Sequence, residues 1–599
     1  MAVTGFLTDS TLCIGCKACE VACKEWNDVP DDGFVWSGLS YDNTLALGHS
    51  TYRHVKFVER EPTAGCGGNS SAQVTWEFSS DVCRHCGNAG CLEACPTGSI
   101  VRTEFGSVFV QPDICNGCGY CVVSCPFGVI DRRPGDGRAF KCTFCYDRQK
   151  AGAEPACAKA CPTGSIIFGP LDDLERAADR RLAQLRANGM DDASIWNPKE
   201  TSVGGTHAFF IVRGDARDYN LPPNPQVPTV LLKQSWSAAG IAAAAIAGAS
   251  LLTFALGKKR NAGVTPVNAA QRGESDMKTP DQFSEKRLEQ LREQAALGRV
   301  DAKGIRPSGS PMPATPSYYG LPIVKPPVWT WEVPLYFFAG GAAGASSVIA
   351  IAAQLAGASP SLVRDARWIA AIGAAASGPL LILDLGRPER FLNMLRVFKP
   401  QSAMSVGAWT LSVFGTTTAG AVIAEMLGMK RIGDASALAA ALSGLVMSTY
   451  TGVLLGATAI PVWAAHAKTL PIHFGASALA SATAILTLRG HGEQALNALA
   501  LAAAAFETYT GIEIESDRSI DSEPLRLGVT GTTTRIGGFF SGPLPLVLRL
   551  IGIRSKRARR AAAASALLGS LITRVAWIEA GKASAADPRP HLQGSQEKE

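Results

Sequence analysis

Beyond Cys161 the sequence has no cysteine: all 17 lie between Cys13 and Cys161 of a 599-residue chain. The long remainder can therefore form neither disulfides nor thiolate-ligated metal sites. Histidine is scarce too, with 8 in all, and past residue 328 only His466, His473 and His491 precede the tail, each near an expected helix end. A haem held between helices needs axial ligands at depth, and this pattern provides none. Charge of one sign is also missing. The 57 basic and 51 acidic residues leave a net +6, too balanced for a nucleic-acid surface, so no nucleic-acid partner is expected. There is no dinucleotide fingerprint and no recognisable substrate-activating site, which assigns the substrate chemistry to a separate protein. The N-terminus, MAVTGFLTDSTLCIGC, has no basic region followed by an apolar run and no twin arginine; the chain is expected to carry no export signal of its own.

Two unlike halves are present, and the mean hydropathy of +0.11 describes neither. Residues 1–230 read as a loop-rich domain with short strands at 107–110 and 166–168, each beside a cysteine group. The run 236–256 is uncharged and close to the ~20 residues a membrane-spanning helix needs; it ends at Lys258, Lys259 and Arg260. Residues 257–327 are polar and rich in Pro and Gly, a linker with one short amphipathic stretch at 285–297. Residues 328–588 hold apolar stretches near 334–357, 368–385, 404–426, 435–463, 471–488 and 493–512, with weaker ones near 536–553 and 561–580. Their Ala and Gly content suits close helix packing in a lipid bilayer.

The cysteines fall into four groups: Cys13, Cys16, Cys19, Cys23; Cys83, Cys86, Cys91, Cys95; Cys115, Cys118, Cys121, Cys125; and Cys142, Cys145, Cys157, Cys161. Only Cys66 stands outside them. The first and third groups follow the CxxCxxCxxxC run of bacterial ferredoxins, in which three thiolates bind one [4Fe-4S] cluster and the fourth reaches to another. Sixteen ligands then make four [4Fe-4S] clusters, and four-thiolate sites of this spacing suit iron better than zinc. The reciprocal rule joins Cys83, Cys86, Cys91 with Cys125, and Cys115, Cys118, Cys121 with Cys95. It likewise joins Cys13, Cys16, Cys19 with Cys161, and Cys142, Cys145, Cys157 with Cys23.

The segments CIGCKACEVACKEWND, CRHCGNAGCLEACPTGSI, CNGCGYCVVSCPFGVI and KCTFCYDR, the last followed by GAEPACAKACPTGSIIFG, resemble the beta subunit of respiratory formate dehydrogenases. That subunit belongs to the wider family of four-cluster subunits that serve molybdopterin oxidoreductases. The resemblance implies two ferredoxin-like modules, a C-terminal anchor helix at 236–256 and a molybdopterin or tungstopterin catalytic subunit as partner. In the second half WTWEVPLYFFAGGAAGA, LDLGRPERFLNMLRVFKPQSAMSVGAW and TYTGVLLGATAIPVW resemble the NrfD and polysulfide-reductase membrane subunits. Those are bundles of about eight helices, without haem, that react with membrane quinone. The expected fold is thus an α+β double ferredoxin-like iron-sulfur domain with an anchor helix, fused to an all-α polytopic membrane bundle.

Ionisable groups at membrane helices are costly and default to functional candidates. For a quinone, menaquinone or ubiquinone, they are Glu332, Asp384 and Arg387, with Tyr336 and His466 as hydrogen-bonding groups; Glu425, Glu507 and Arg574 complete the set. Plainer roles stand beside these. Asp384 and Arg387 can be a structural ion pair, Glu425 an interfacial residue, and Trp329, Trp331 and Tyr336 interfacial aromatics.

The functional expectation is an electron-transfer and membrane subunit linking a formate-oxidising catalytic subunit to the quinone pool. The rivals are a quinol-oxidising subunit of a polysulfide or dimethyl sulfoxide reductase, and a passive redox-sensing anchor. The basic residues after the anchor place the linker in the cytoplasm and the iron-sulfur domain on the outer face of the inner membrane. Simple alternation of spans then carries Glu332, Asp384, Arg387 and His466 across the bilayer from the clusters. In that arrangement the quinone head binds on the cluster side and the Glu332 and Asp384 end handles protons or structure. The alternative is an anchor that does not span, or a linker that crosses back, and either brings those motifs beside the clusters. The expected iron content of anaerobically purified protein is about sixteen atoms per chain. Cys66→Ser should leave the cluster spectrum unchanged while Cys118→Ser removes or converts one cluster, as absorbance and electron paramagnetic resonance will report.

Overall fold

The computed structural model describes residues 2–32, 44, 46–60, 75–258, 321–551 and 555–592. Cys66, the stretch 285–297 and most of the polar linker fall outside the described residues.

Sequence dense in Gly, Pro and Cys cannot sustain long elements, and the first half forms short ones. Its strands are β1 (Thr4–Asp9), β2 (Arg53–Arg60), β3 (Thr75–Val82), β4 (Ile100–Arg102), β5 (Val108–Val110), β6 (Asp131–Arg132), β7 (Ala139–Phe140), β8 (Ile166–Pro170), β9 (Ala193–Trp196) and β10 (Ala208–Arg213). The main sheet has the order β8-β1-β10-β9, with β1 antiparallel to β8 and parallel to β10. The other strands form the two-stranded pairs β2-β3, β4-β5 and β6-β7. Four short helices, α1 (Ala18–Asn27), α2 (Gly90–Ala94), α3 (Tyr120–Val123) and, after α4 (Tyr146–Lys150), α5 (Ala156–Lys159), carry Cys19, Cys91, Cys121 and Cys157 in turn. Each cysteine group thus presents its third sulfur from a short helix. Helix α6 (Leu171–Ala187) covers the main sheet through Leu174, Ala178 and Leu185.

The second half is helical: α7 (Leu232–Lys258), α8 (Glu332–Ala356), α9 (Pro360–Leu383), α10 (Ala403–Met426), α11 (Lys430–Gly456), the short α12 (Pro461–Ala465), α13 (Thr469–Leu488), α14 (Gln494–Ser516), α15 (Gly528–Ser541), α16 (Pro543–Ile551) and α17 (Lys556–Ala585). Seven helices among the described residues, α7 to α11, α13 and α17, are long and apolar enough to cross a membrane. The expected single stretch 435–463 is divided, because α11 stops at Gly456 and Pro461 starts α12. The weak stretch near 536–553 is also two helices, broken at Gly542 before Pro543. Together α15 and α16 run antiparallel to α14: Ser541 meets Glu507, and Arg549 meets Asn497.

One expectation is overturned. Alternation from the anchor put Glu332, Asp384, Arg387 and His466 across the bilayer from the cysteines, but the structure sets the first three against the iron-sulfur domain. His466 is at the same end of the bundle, next to Ala467, whose carbonyl accepts from Ser235 at the start of α7. The physical reason is the docking of the chain just before α8. Lys325 Nζ lies 2.7 Å from Asp131 Oδ2, and Trp329 Nε1 donates to the Cys118 carbonyl at 3.3 Å. Helices α7 and α8 therefore both start at the iron-sulfur end. Ser235 near the start of α7 bonds the Ala467 carbonyl, and Phe254 near its end packs with Ala352, Leu362 and Leu496.

The two halves meet through backbone. Gly386 N donates to Gly117 O at 3.2 Å, Arg387 N to Asn116 O at 2.9 Å, and Ala459 N to Val123 O at 2.7 Å. A Cβ on Gly386 would lie 2.1 Å from the Gly137 carbonyl oxygen, so only glycine permits this approach. Gly386→Ala should cost about 1–3 kcal/mol of docking or folding stability, read as earlier loss of cluster absorbance on heating. Gly378→Ala, whose added Cβ meets nothing within 4 Å, should be neutral in the same measurement.

Candidate metal centres and the membrane surface they meet

In the loops that open the first and third groups the backbone turns through left-handed conformations at matching positions: Gly15 and Lys17 in one, Gly117 and Gly119 in the other. These turns aim successive sulfurs at a common point. Cys13, Cys16, Cys19 and Cys161 line one pocket of about 290 Å³, and Cys83, Cys86, Cys91 and Cys125 line a second of about 290 Å³. Cys95 faces Cys115, Cys118 and Cys121 within electrostatic reach. Cys23 likewise faces Cys142, Cys145 and Cys157, and Asn27 Nδ2 bridges the sulfurs of Cys23 and Cys145 at 3.7 and 3.8 Å. Each set takes three cysteines from one group and one from another.

No three His, Cys, Asp or Glu among the described residues converge tightly enough for a single metal ion. Four sulfurs spread around a pocket are the donor arrangement of a multi-iron cluster, where zinc would need sulfurs at ~2.3 Å from one centre. Burial pushes the Cys91 thiol up to about 12 and the Cys118 thiol up as well. Thiolates in this setting depend on metal charge. Two buried cations add to it. Arg53 donates to Ser80 Oγ at 2.9 Å on the Cys19 side, and Lys141 Nζ lies 3.5 Å from Cys83 Sγ while bonding the Val108 and Cys142 carbonyls.

The set containing Cys118 is the one that touches the membrane half. Trp329, which is 2 % exposed, stacks on Tyr120 on one side and on Trp463 on the other, with centroids 6.5 and 5.8 Å apart. Tyr120 OH donates to the Leu454 and Ala457 carbonyls. Beside Trp329, Asp384 Oδ1 accepts from Thr330 N at 3.1 Å and from Thr330 Oγ at 3.3 Å, and Thr330 Oγ also bonds Glu332. Burial pushes the Asp384 carboxyl up to about 6, against the hydrogen bonds from Thr330.

The structure thus brings Glu332 and Asp384 together through Thr330. Asp384 and Arg387 do not pair with each other: Arg387 reaches Asp136 at 3.8 Å and Glu389 at 3.4 Å. Tyr336 is buried and its hydroxyl bonds that of Tyr450. His466 lies apart, bonding Ser522 Oγ at 2.9 Å with Asp517 3.8 Å away. Glu425 pairs with Arg367 at 3.2 Å near the other end of the bundle. Glu507 and Arg574 share a buried pocket of polar groups with His473. Trp331 is 64 % exposed, as an interfacial aromatic is. Sequence reasoning missed Thr330, Tyr120, Trp463 and Lys141. Tyr120 and Lys141 lie inside cysteine motifs, where every eye goes to the sulfurs, and Thr330 and Trp463 gain their roles only from contacts across the fold.

Comparison with known proteins follows this division. Residues 12–99 and 74–171 match two families, each described as 4Fe-4S dicluster domain. Residues 315–586 match the family described as polysulfide reductase. The iron-sulfur subunit of the nitrate-inducible formate dehydrogenase of Escherichia coli K12 is 40% identical over 227 residues, 37% of this chain and 74% of that protein. The chain belongs to the formate dehydrogenase iron-sulfur subunit family. A second family member, the formate dehydrogenase iron-sulfur subunit of Haemophilus influenzae, is 38% identical over 253 residues, 42% of this chain and 78% of that protein. The thiosulfate reductase electron transfer subunit of Salmonella typhi is 41% identical over 170 residues, 28% of this chain and 77% of that protein. The membrane half lies outside these three alignments by length and is accounted for by the polysulfide reductase family, which with the apolar helices makes the chain an integral membrane protein.

Lys141 carries a prediction for the iron-sulfur subunit family fold. Removing its charge beside Cys83 disfavours the more negative, reduced state of the adjoining cluster. Lys141→Met should lower that cluster's midpoint potential by on the order of 100 mV, as a redox titration followed by electron paramagnetic resonance will measure.

Proposed function

We propose that the chain carries electrons between a separate molybdopterin or tungstopterin catalytic subunit, oxidising formate, and a menaquinone or ubiquinone in the membrane. The observation that supports this most directly is the Trp329 Nε1 bond to Cys118 O, 3.3 Å long, which joins the innermost cysteine set to the Asp384 and Glu332 surface of the membrane half. Four [4Fe-4S] clusters held by the sixteen grouped cysteines would supply one-electron carriers from the exposed Cys16 end to that surface. The chain's own residues do the rest. The cysteine loops fix the spacing of the centres, Arg53 and Lys141 offset their charge, and buried Trp329, Tyr120 and Trp463 exclude water between the halves.

In this reading the quinone head is held at the Thr330, Glu332 and Asp384 cluster, with Arg387 and Tyr336 nearby, and Asp384 supplies a proton to the reduced head. His466, bonded to Ser522 and away from this cluster, is left out of the head site. A second reading has specific support: the membrane half matches the polysulfide reductase family and the first half resembles a thiosulfate reductase electron transfer subunit. There the flow reverses and quinol is the donor. The proposed outer placement of the iron-sulfur domain rests on charge. The opposite end of the bundle carries Lys430, Arg431, Arg489, Lys556, Arg557, Arg559 and Arg560. The near end also carries Arg387, Arg390, Arg396, Lys399, Lys468, Arg518, Arg526, Lys582 and Arg589. Of these, Arg390 and Lys399 are engaged by the Pro112 and Leu92 carbonyls and Arg589 by Glu523 and Asp587, so the placement rests on the basic end of the anchor helix at Lys258.

The purified complex should reduce a soluble quinone analogue with formate. Activity with thiosulfate or polysulfide and quinol, and none with formate, would select the second reading. A carboxyl with a folded value of about 6 donates a proton only below that value, so quinone reduction should fall as pH rises through about 6. Asp384→Asn should flatten that profile and lower the rate by about 10²-fold or more.

A further inference from the structure

The membrane half contains a second polar centre, distant from the cysteine sets and unused by the electron path. Glu507 on α14 is 2 % exposed, Arg574 on α17 is 1 % exposed and His473 on α13 is 3 % exposed. Glu507 Oε2 accepts from Ser541 Oγ at 2.8 Å and lies 4.0 Å from His473 Nδ1, which also meets Thr510 Oγ at 3.0 Å. Arg574 donates from Nη2 to the Phe474 carbonyl at 3.1 Å and lies 4.1 Å over the Phe474 ring. Glu507 Oε1, Arg574 Nε and Nη1, and Thr573 Oγ are buried without a hydrogen-bond partner among the described residues. So many unpaired polar atoms at one depth call for water among them, since buried polar groups are otherwise satisfied.

The backbone is interrupted at the same depth. Helix α15 ends at Ser541, and α16 begins at Pro543. Gly542 passes so close to Thr508 that a Cβ would lie 2.9 Å from its amide nitrogen, and a Cβ on Gly569 of α17 would lie 2.2 Å from Ser541 N. Discontinuous helices in membrane bundles are tolerated where they line a polar cavity and often mark an ion or proton site.

Polar groups lead away from this centre in both directions. Toward the iron-sulfur end, His466 bonds Ser522 Oγ at 2.9 Å, and Ser522 Oγ bonds Asp517 Oδ2 at 2.6 Å. The Asp517 side chain is 36 % exposed, and Trp577 packs against both His466 and His473. Toward the opposite end Ser477, Ser570 and Ser481 form a linked set, with Ser477 and Ser570 hydroxyls 2.5 Å apart and Ser481 donating to Ser570 at 3.0 Å.

We propose that Glu507 holds and passes a proton inside the bundle, on a hydrated route that opens at Asp517 and continues past Arg574 along the serine hydroxyls. A proton taken from solvent by the Asp517 carboxylate passes through Ser522 to His466, across to His473, and from His473 Nδ1 to the Glu507 carboxylate. No electron moves in these steps. Of the elements packed on α14, α13 sets His473 beside Glu507 and α15 sets the uncharged Ser541 there, with Arg535 further along at Glu515; α16 brings Arg549 to Asn497, α7 is uncharged from Gln234 to Gly257, and α17 contributes Arg574. Arg574 keeps the route from admitting other cations.

The test is infrared spectroscopy of the full holoprotein in lipid vesicles, and it needs neither formate nor quinone, so it is independent of the proposed function. The wild type should show a protonated-carboxyl stretch that disappears in Glu507→Gln with cluster absorbance unchanged. In D2O that stretch should shift far faster than the α14 backbone amides exchange, and Asp517→Asn should slow the shift at least tenfold. A Glu507 that stays ionised at every pH where the protein is folded is a structural partner of Arg574 and overturns the proposal. Exchange no faster than the backbone overturns it too, and an unchanged rate in Asp517→Asn overturns the entry at that residue.

Discussion

Everything in this chain depends on how closely the loop from Cys115 to Cys121 can approach the membrane half. Electron transfer between buried centres weakens steeply with distance, so an intervening side chain is a direct loss of function. Here the approach is made backbone to backbone, with Gly117, Gly137 and Gly386 in mutual contact and Gly386 N bonded to Gly117 O. The segment that looked most distinctive in the membrane half, LDLGRPERFLNML, is the strip on which the loop sits. Its Arg387 amide, Arg390 side chain and Asn393 side chain bond the carbonyls of Asn116, Pro112 and Ile114. A motif read from sequence as part of a quinone site is thereby also a docking device.

Much of the first half was legible because thiolate spacing is a short-range signal. The four cysteine groups and the strands near 107–110 and 166–168 are matters of local pattern, whereas the exchange of fourth sulfurs between groups, Cys161 joining Cys13 for one, came from the ferredoxin ligand rule and not from spacing alone. The helices of the second half were also legible as apolar runs, although Pro461 and Pro543 divided two of them. What could not be read was direction. Alternation of spans is a rule about consecutive helices, and the contacts that decide the matter, Lys325 with Asp131 and Trp329 with Cys118, join residues far apart in sequence. The same limit hid Thr330, which acquires meaning only when Asp384 arrives beside it.

The bundle divides its polar groups into two populations. Those at the iron-sulfur end, Asp384, Thr330 and Glu332, lie within one hydrogen-bonded group beside a cysteine set. Those in the interior, Glu507, His473 and Arg574, lie where α15 gives way to α16. Small residues make the second population possible. Gly542 and Gly569 let three helices close around the break, with Phe474 and Trp577 packed beside the polar groups. Charges left with few protein partners in such surroundings are retained only where they serve something other than packing.

The docking strip has a practical side. Apart from the Lys325–Asp131 and Arg387–Asp136 charge pairs, the side-chain donors between the halves mostly meet neutral peptide carbonyls, as in Arg132 with Val328 O, Arg390 with Pro112 O and Trp329 with Cys118 O. The arginine, asparagine and tryptophan donors do not change protonation over the ordinary range, and dissolved ions do little to weaken a bond between a buried donor and an uncharged oxygen. A cysteine-rich domain that would pass for a peripheral protein by composition is therefore fastened largely by bonds that high-salt washing of membranes does not undo, while the Lys325–Asp131 pair is the part that salt weakens.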